Sequence, residues 1–135
     1  MAAKAVILEA PRDGALWVVQ VFGAILSLVA GLAKLSGDEQ MIEMFTAIGL
    51  GQWLRYVGFI EFLSAALLLT PAFSGIAALV LFTTSIGATL THFFILEGSP
   101  ALPIGLLLIV SIVAWGRKKT ILRLVGHIVR TARRD

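Results

Sequence analysis

Four stretches of this chain are apolar over lengths that point to a bilayer. Crossing about 30 Å of hydrocarbon takes roughly 20 helical residues. The first stretch, LWVVQVFGAILSLVAGLAKL from Leu16 to Leu35, meets that length with one lysine near its end. A second runs from Trp53 to Leu69 and is stopped by Pro71, and a third occupies Phe73 to Leu96. The sequence EGSPALP then turns the chain, because Gly98, Pro100 and Pro103 do not suit a helix interior. The fourth stretch, 102–115, ends at Trp115 before Gly116, Arg117, Lys118 and Lys119, so it is short for a crossing unless basic stems snorkel. A chain of 135 residues that is 59% hydrophobic and 14% charged, with a mean hydropathy of +0.96, is consistent with that solvent.

The expected fold is therefore all-α, a four-transmembrane-helix bundle with spans at about 16–35, 53–69, 73–96 and 102–115. These make a membrane domain over 16–116, flanked by an N-terminal segment, 1–15, and a basic tail, 117–135. A cleaved signal peptide is the competing reading of the first stretch, but its apolar part is too long and no clear Ala-x-Ala pattern follows. The chain has no cysteine, which excludes disulfides, Cys-ligated zinc, iron–sulfur clusters and thiol–disulfide chemistry by this chain. His92 is the one histidine in the membrane region, so haem held by two histidines of one chain is excluded as well. Glu61 and His92 alone are two ligands where zinc takes three or four, and no metal site is expected.

Charge sets the orientation. Of the 11 basic residues, Lys4 and Arg12 precede the first span, and Arg117, Lys118, Lys119, Arg123, Arg130, Arg133 and Arg134 follow the fourth. The other side holds Lys34 and Arg55, so the Lys/Arg bias places both termini in the cytoplasm of a multi-pass membrane protein. The outer connection SGDEQMIEMFTAIGLGQ offers Ser36 or Asp38 as an N-cap, and Met41, Phe45 and Ile48 at helical spacing, which predicts a short helix on the membrane surface. Past Lys119 the tail alternates Ile121, Leu122, Val125, Ile128 and Val129 with basic residues. That is the pattern of an amphipathic interfacial helix on anionic lipid, and equally of a plain topology signal. No basic-aromatic motif accompanies these charges, and nucleic acid is not an expected partner.

The minority residues of the spans fall on stripes. In the first, Gln20, Gly23, Ser27, Ala30, Gly31 and Lys34 recur every three or four residues; in the second, Gly58, Glu61, Ser64 and Ala65 do the same. The third carries Thr84, Ser85, Ala88, Thr91 and His92. Such faces let membrane helices pack closely and should point into the bundle. The topology brings Lys34, Glu61 and Thr91–His92 to the outer side, which predicts a small outward-opening polar pocket. Glu61 decides this, because a charged residue near a helix centre costs about 3 kcal/mol on insertion scales and persists when paired, protonated or facing a wet cavity. Lys34, Glu61 and His92 are the candidate proton-handling groups, and Lys34, Glu61, Thr91, His92, Ser27 and Arg55 the candidate ligand contacts. Blander readings stand beside these: Lys34 snorkelling, His92 bonded to Glu97 or water, and Arg55 with Gln52, Trp53 and Tyr56 as an interface belt. A buried Glu–Lys or Glu–His bond can also fix helix register without doing chemistry.

The segments GLAKLSGD, IGLGQWLRYVGFIEFLSAALLL, GATLTHFFILEGSP and IVAWGRKK, over about residues 16–118, resemble the DoxX-like family of small four-span membrane proteins. The resemblance implies a compact four-helix membrane bundle in a bacterial inner membrane. It also implies kinship with small subunits of a quinone-linked thiosulfate-oxidising enzyme and with a eukaryotic receptor-assembly chaperone, proteins that share no one activity. Residue by residue, it places Lys34, Glu61 and His92 at the family's polar positions.

Two functions follow from different classes. The first is a redox-associated subunit with no intrinsic cofactor that binds a quinone or isoprenoid-like molecule, taking electrons from a redox protein partner. The second is a non-catalytic accessory or assembly subunit of a larger membrane complex, in which the polar residues form a fixed network. A proton or small-solute path is a weaker third, because no polar residue continues the cytoplasmic half beyond Gln20 and Ser27. Whether the chain is an enzyme is left open by the sequence.

Overall fold

The computed structural model describes residues 2–95 and 99–134, with side chains from Gly14 onward. Among the described residues it is all-helical, with no strand: α1 (Ala2–Ser36), α2 (Glu39–Ala47), α3 (Leu54–Leu68), α4 (Ser74–Phe94), α5 (Ala101–Gly116) and α6 (Lys118–Ala132), plus a 3-10 turn at Gly51–Trp53. Four of the helices close a ring: α1 packs on α3 and α5, and α4 packs on the same two.

The stripes explain this ring. On α1 the structure buries Gln20, Gly23, Ala24, Ser27, Gly31 and Lys34, and on α3 it buries Leu54, Gly58, Glu61, Ser64, Ala65 and Leu68. Glycines at the crossing let two backbones meet. A Cβ on Gly31 would stand 2.8 Å from the Phe62 nitrogen, and one on Gly58 would stand 2.7 Å from Lys34 Cβ and 3.0 Å from the Gly31 carbonyl. Below this crossing, Ala24, Leu68, Ala77, Ala78, Leu81, Val110 and Val113 form the apolar core. The opposite face of α1 leaves Val18, Phe22, Ile25 and Val29 exposed. So much exposed apolar surface suits lipid and not water.

Among the described residues two helical segments are long and apolar enough to cross a membrane, Gly14–Ser36 and Ser74–Phe94, and a third crossing arises if α5 and α6 are taken as one span bent by 64°. The expectation of four spans is thus met in part. The helix α3 has 15 residues and α5 has 16. Both are cut short by their flanks: α3 lies between the 3-10 turn and Pro71, and α5 between Pro100 and the bend at Arg117. Helix α1 begins upstream of the expected first span, and the tail is a helix of 15 residues packed on α4 and α5.

The short helix of the first connection forms where it was expected. Of the two possible caps it is Asp38 that serves, its carboxylate accepting from the backbone nitrogens of Gln40 at 3.1 Å and Met41 at 3.4 Å. Gly37 and Gly49, with φ of 73° and 74°, let the chain enter and leave in a left-handed conformation that favours glycine. Phe45 is buried, and through such contacts α2 rests on α1 and α3.

Candidate functional site

The polar residues of the bundle form two groups, one toward each end of α1. At the end nearer α2, Lys34 Nζ donates to Glu61 Oε2 at 2.7 Å, and the two side chains are 9% and 8% exposed. The helix geometry makes this possible. A helical side chain leans toward its own N-terminus, so Lys34, one turn beyond Gly31, leans back toward Glu61 on the antiparallel α3. The Gly31–Gly58 contact brings the two axes close enough for the reach.

The second group lies about 20 Å along α1, fourteen residues away at 1.5 Å per residue. The Gln20 side chain is fully buried, and its Nε2 donates to the Leu68 carbonyl at the last turn of α3. Arg117 Nε donates to Gln20 Oε1 at 3.0 Å, and the same guanidinium lies 5.3 Å from the centre of the Trp17 ring. One glutamine thus ties α1 to the end of α3 and to the junction of α5 with α6. Sequence reasoning missed this group, reading Gln20 as a packing residue and Arg117 as a topology charge. The available signal was Gln20 itself, since an amide within an apolar span requires partners on neighbouring helices.

Between the groups, Ser27 Oγ on α1 and Ser85 Oγ on α4 are buried with no protein hydrogen-bond partner. Other hydroxyls behave differently. Thr84, Thr89 and Thr91 donate to the carbonyls of Leu81, Ser85 and Gly87 on their own helix, the usual recourse of a hydroxyl in an apolar span. Two buried hydroxyls left without partners are therefore the exception in this bundle, and a hydrogen-bonding guest would satisfy them.

The predicted site residues divide accordingly. Lys34 and Glu61 are brought together, and Ser27 is buried on the same stripe of α1. Thr91 and His92 are half-buried near the end of α4; His92 Nδ1 lies 2.9 Å from the Ala88 carbonyl, and no hydrogen bond joins either residue to the Lys34–Glu61 pair. The proposed His92–Glu97 bond involves a residue outside the described residues. Arg55 is exposed on the first turn of α3, beside a Trp53–Tyr56 ring contact with centroids 5.6 Å apart. Two hollows, of about 430 Å³ and 370 Å³, lie not at this pair but against α6. No group of three potential metal-ligating side chains occurs among the described residues.

A family model described as the DoxX-like family matches residues 18–115. The chain belongs to the DoxX-like family. That match takes in the four packed helices from Val18 of α1 to Trp115 of α5, and with them Gln20, Lys34, Glu61 and His92. Family and apolar helices together make this a multi-pass DoxX-like membrane protein. No curated protein and no solved structure matches the chain.

Proposed function

We propose that this DoxX-like protein is a four-span inner-membrane subunit that binds a quinone or isoprenoid-like molecule within the bundle, with both termini cytoplasmic. Four crossings are supported by packing. Helix α3 sits between α1 and α4 in the ring, and with its 3-10 turn it reaches about 28 Å, close to the hydrocarbon thickness. The Lys/Arg bias toward the two ends supports the orientation.

The observation that carries the ligand reading is the pair of partnerless buried hydroxyls, Ser27 and Ser85, in a bundle that also holds a buried lysine and glutamate. Chemically these side chains suit a quinone: the Ser27 and Ser85 hydroxyls would each donate to a carbonyl oxygen, and the Lys34–Glu61 pair would offset charge developing on one. A bound quinone would supply reversible electron and proton acceptance. Electrons would come from a redox protein partner, for which the small-residue helix faces offer docking surface.

A second reading is favoured by the closure of the Lys34–Glu61 pair over the Gly31–Gly58 contact. There the pair clamps α1 to α3 in a non-catalytic accessory or assembly subunit.

Mass spectrometry of small molecules copurifying in a mild detergent separates the two. The ligand reading expects a quinone or isoprenoid near one per chain in the wild type, and its loss in a Ser27→Ala/Ser85→Ala variant that folds normally. Bulk lipid alone in the wild type, with a protein partner retained, would sink it in favour of the accessory reading.

A further inference from the structure

The strongest unassigned feature lies outside the bundle. At Arg117 the chain bends by 64°, and α6 leaves the axis of α5. Four of its apolar residues do not find a core: Leu122, Val125, Ile128 and Val129 are 46% to 69% exposed. From Arg117 to Arg134 the chain holds seven basic residues and no acidic one. At the same end Arg117 covers the Trp17 ring, and Lys118 Nζ lies 4.5 Å from the centre of the Trp115 ring. Tryptophan rings and basic heads in contact are the furniture of a membrane–water boundary. A helix bent away from a spanning helix, apolar on one face and basic on the other, lies along that boundary.

The side of α6 turned to the bundle is not closed. Ile121 packs tightly, since a Cβ on Gly75 of α4 would stand 2.5 Å from Ile121 Cγ1. Beyond that contact a hollow of about 430 Å³ opens between α6 and the Pro71–Ala72 turn joining α3 to α4. Thr120, Arg123 and His127 supply its polar lining, and an adjoining hollow of about 370 Å³, lined by α6 residues alone, shares Arg123 and His127 and adds Arg130. Both volumes fall in the range of small-molecule sites, and among the described residues no carboxylate lines either one.

We propose that this cleft between the α3–α4 turn and α6, together with the adjoining hollow along α6, is a binding site for the head group of an anionic phospholipid. Arg123 and Arg130 meet the phosphate, a guanidinium being the donor best matched to it, and Thr120 and His127 add hydrogen bonds. Leu69 and Phe73, exposed on either side of the turn, offer apolar surface to the acyl chains. The site pins α6 to the bundle through lipid, adding to the protein contact made at Ile121. The inference rests on the membrane-spanning reading, and is independent of whether Ser27 and Ser85 hold a ligand.

The test is native mass spectrometry of the full chain titrated with phosphatidylglycerol, with phosphatidylcholine, and with inorganic phosphate as competitor. Phosphatidylglycerol is expected to bind tightest and to resist phosphate. Arg123→Gln/Arg130→Gln should weaken it about thirtyfold, equivalent to about 1 kcal/mol for each arginine near an anionic surface. Arg133→Gln/Arg134→Gln removes the same charge outside the cleft and should weaken it no more than about threefold, since screened surface charges act weakly at a distance. Equal losses in the two variants would reduce the site to diffuse attraction and overturn it. Equal binding of phosphatidylcholine, or displacement by inorganic phosphate, would overturn it too. All four arginines are exposed, Arg123 and Arg130 on α6 and Arg133 and Arg134 just beyond its end, so circular dichroism of both variants should match the wild type.

Discussion

Lys34 and Glu61 are tolerable together inside an apolar bundle where either one alone is not. Removing one partner of a buried ion pair leaves an uncompensated charge and typically costs about 3–5 kcal/mol, whereas replacing both by apolar residues of similar size is often near neutral. Lys34→Met and Glu61→Leu should each destabilise the fold by about 3 kcal/mol, and the double variant should lose less than either single one. Unfolding in mixed micelles measures this, and strictly additive losses would mean that the 2.7 Å contact carries no coupling. Both residues were legible in the sequence because a charge in an apolar run is conspicuous. Their pairing was legible only as one option among several, since Glu61 had His92 as a rival partner. The Gln20–Arg117 bond was not legible, because Arg117 looks the same as six other basic residues until the bend brings it under α1.

At the level of the helix, the Gly31–Gly58 crossing determines whether that pair can form. The nearest atoms to an added Cβ at Gly31 are the Phe62 nitrogen at 2.8 Å and the Gly58 carbonyl at 2.9 Å. Backbone atoms have no rotamer to retreat into, so Gly31→Ala must push α1 off α3. A loss of about 1–3 kcal/mol is expected, as for other overpacked contacts. Gly87 on α4 and Gly105 on α5 have nothing within 4 Å of such a Cβ. There the same substitution should stabilise by up to about 1 kcal/mol, the ordinary helix preference of alanine over glycine. Thermal unfolding of the three variants reads the opposite signs directly, and a neutral Gly31→Ala would show that the crossing is slack. The small-residue stripes that make this crossing were plain from their spacing of three and four. The lengths of α3 and α5 were less so, because a hydropathy pattern runs on through the 3-10 turn and toward the Arg117 bend, while helical geometry does not.

The number of crossings belongs to the whole molecule, and the lack of native cysteine makes it accessible to measurement. Single cysteines at Gln52, Ala72, Ser99 and Thr131 sit at exposed positions in or next to the three successive connections between the packed helices and in the tail helix. If α1, α3, α4 and α5 all cross, a membrane-impermeant maleimide applied to intact cells should label Gln52→Cys and Ser99→Cys. Ala72→Cys and Thr131→Cys should label only after the membrane is opened. The two short helices are the points at issue, and each has its own signature. Were α3 to dip into the bilayer and return, Ala72→Cys would label together with Gln52→Cys. Were α5 to fail to cross, Thr131→Cys would label together with Ser99→Cys and the basic helix would lie outside. That last arrangement would put seven arginines and lysines on the outer surface against the positive-inside bias. The ring in which α1 and α4 each pack on both α3 and α5 makes labelling of Gln52→Cys and Ser99→Cys alone the outcome expected of the four-crossing proposal.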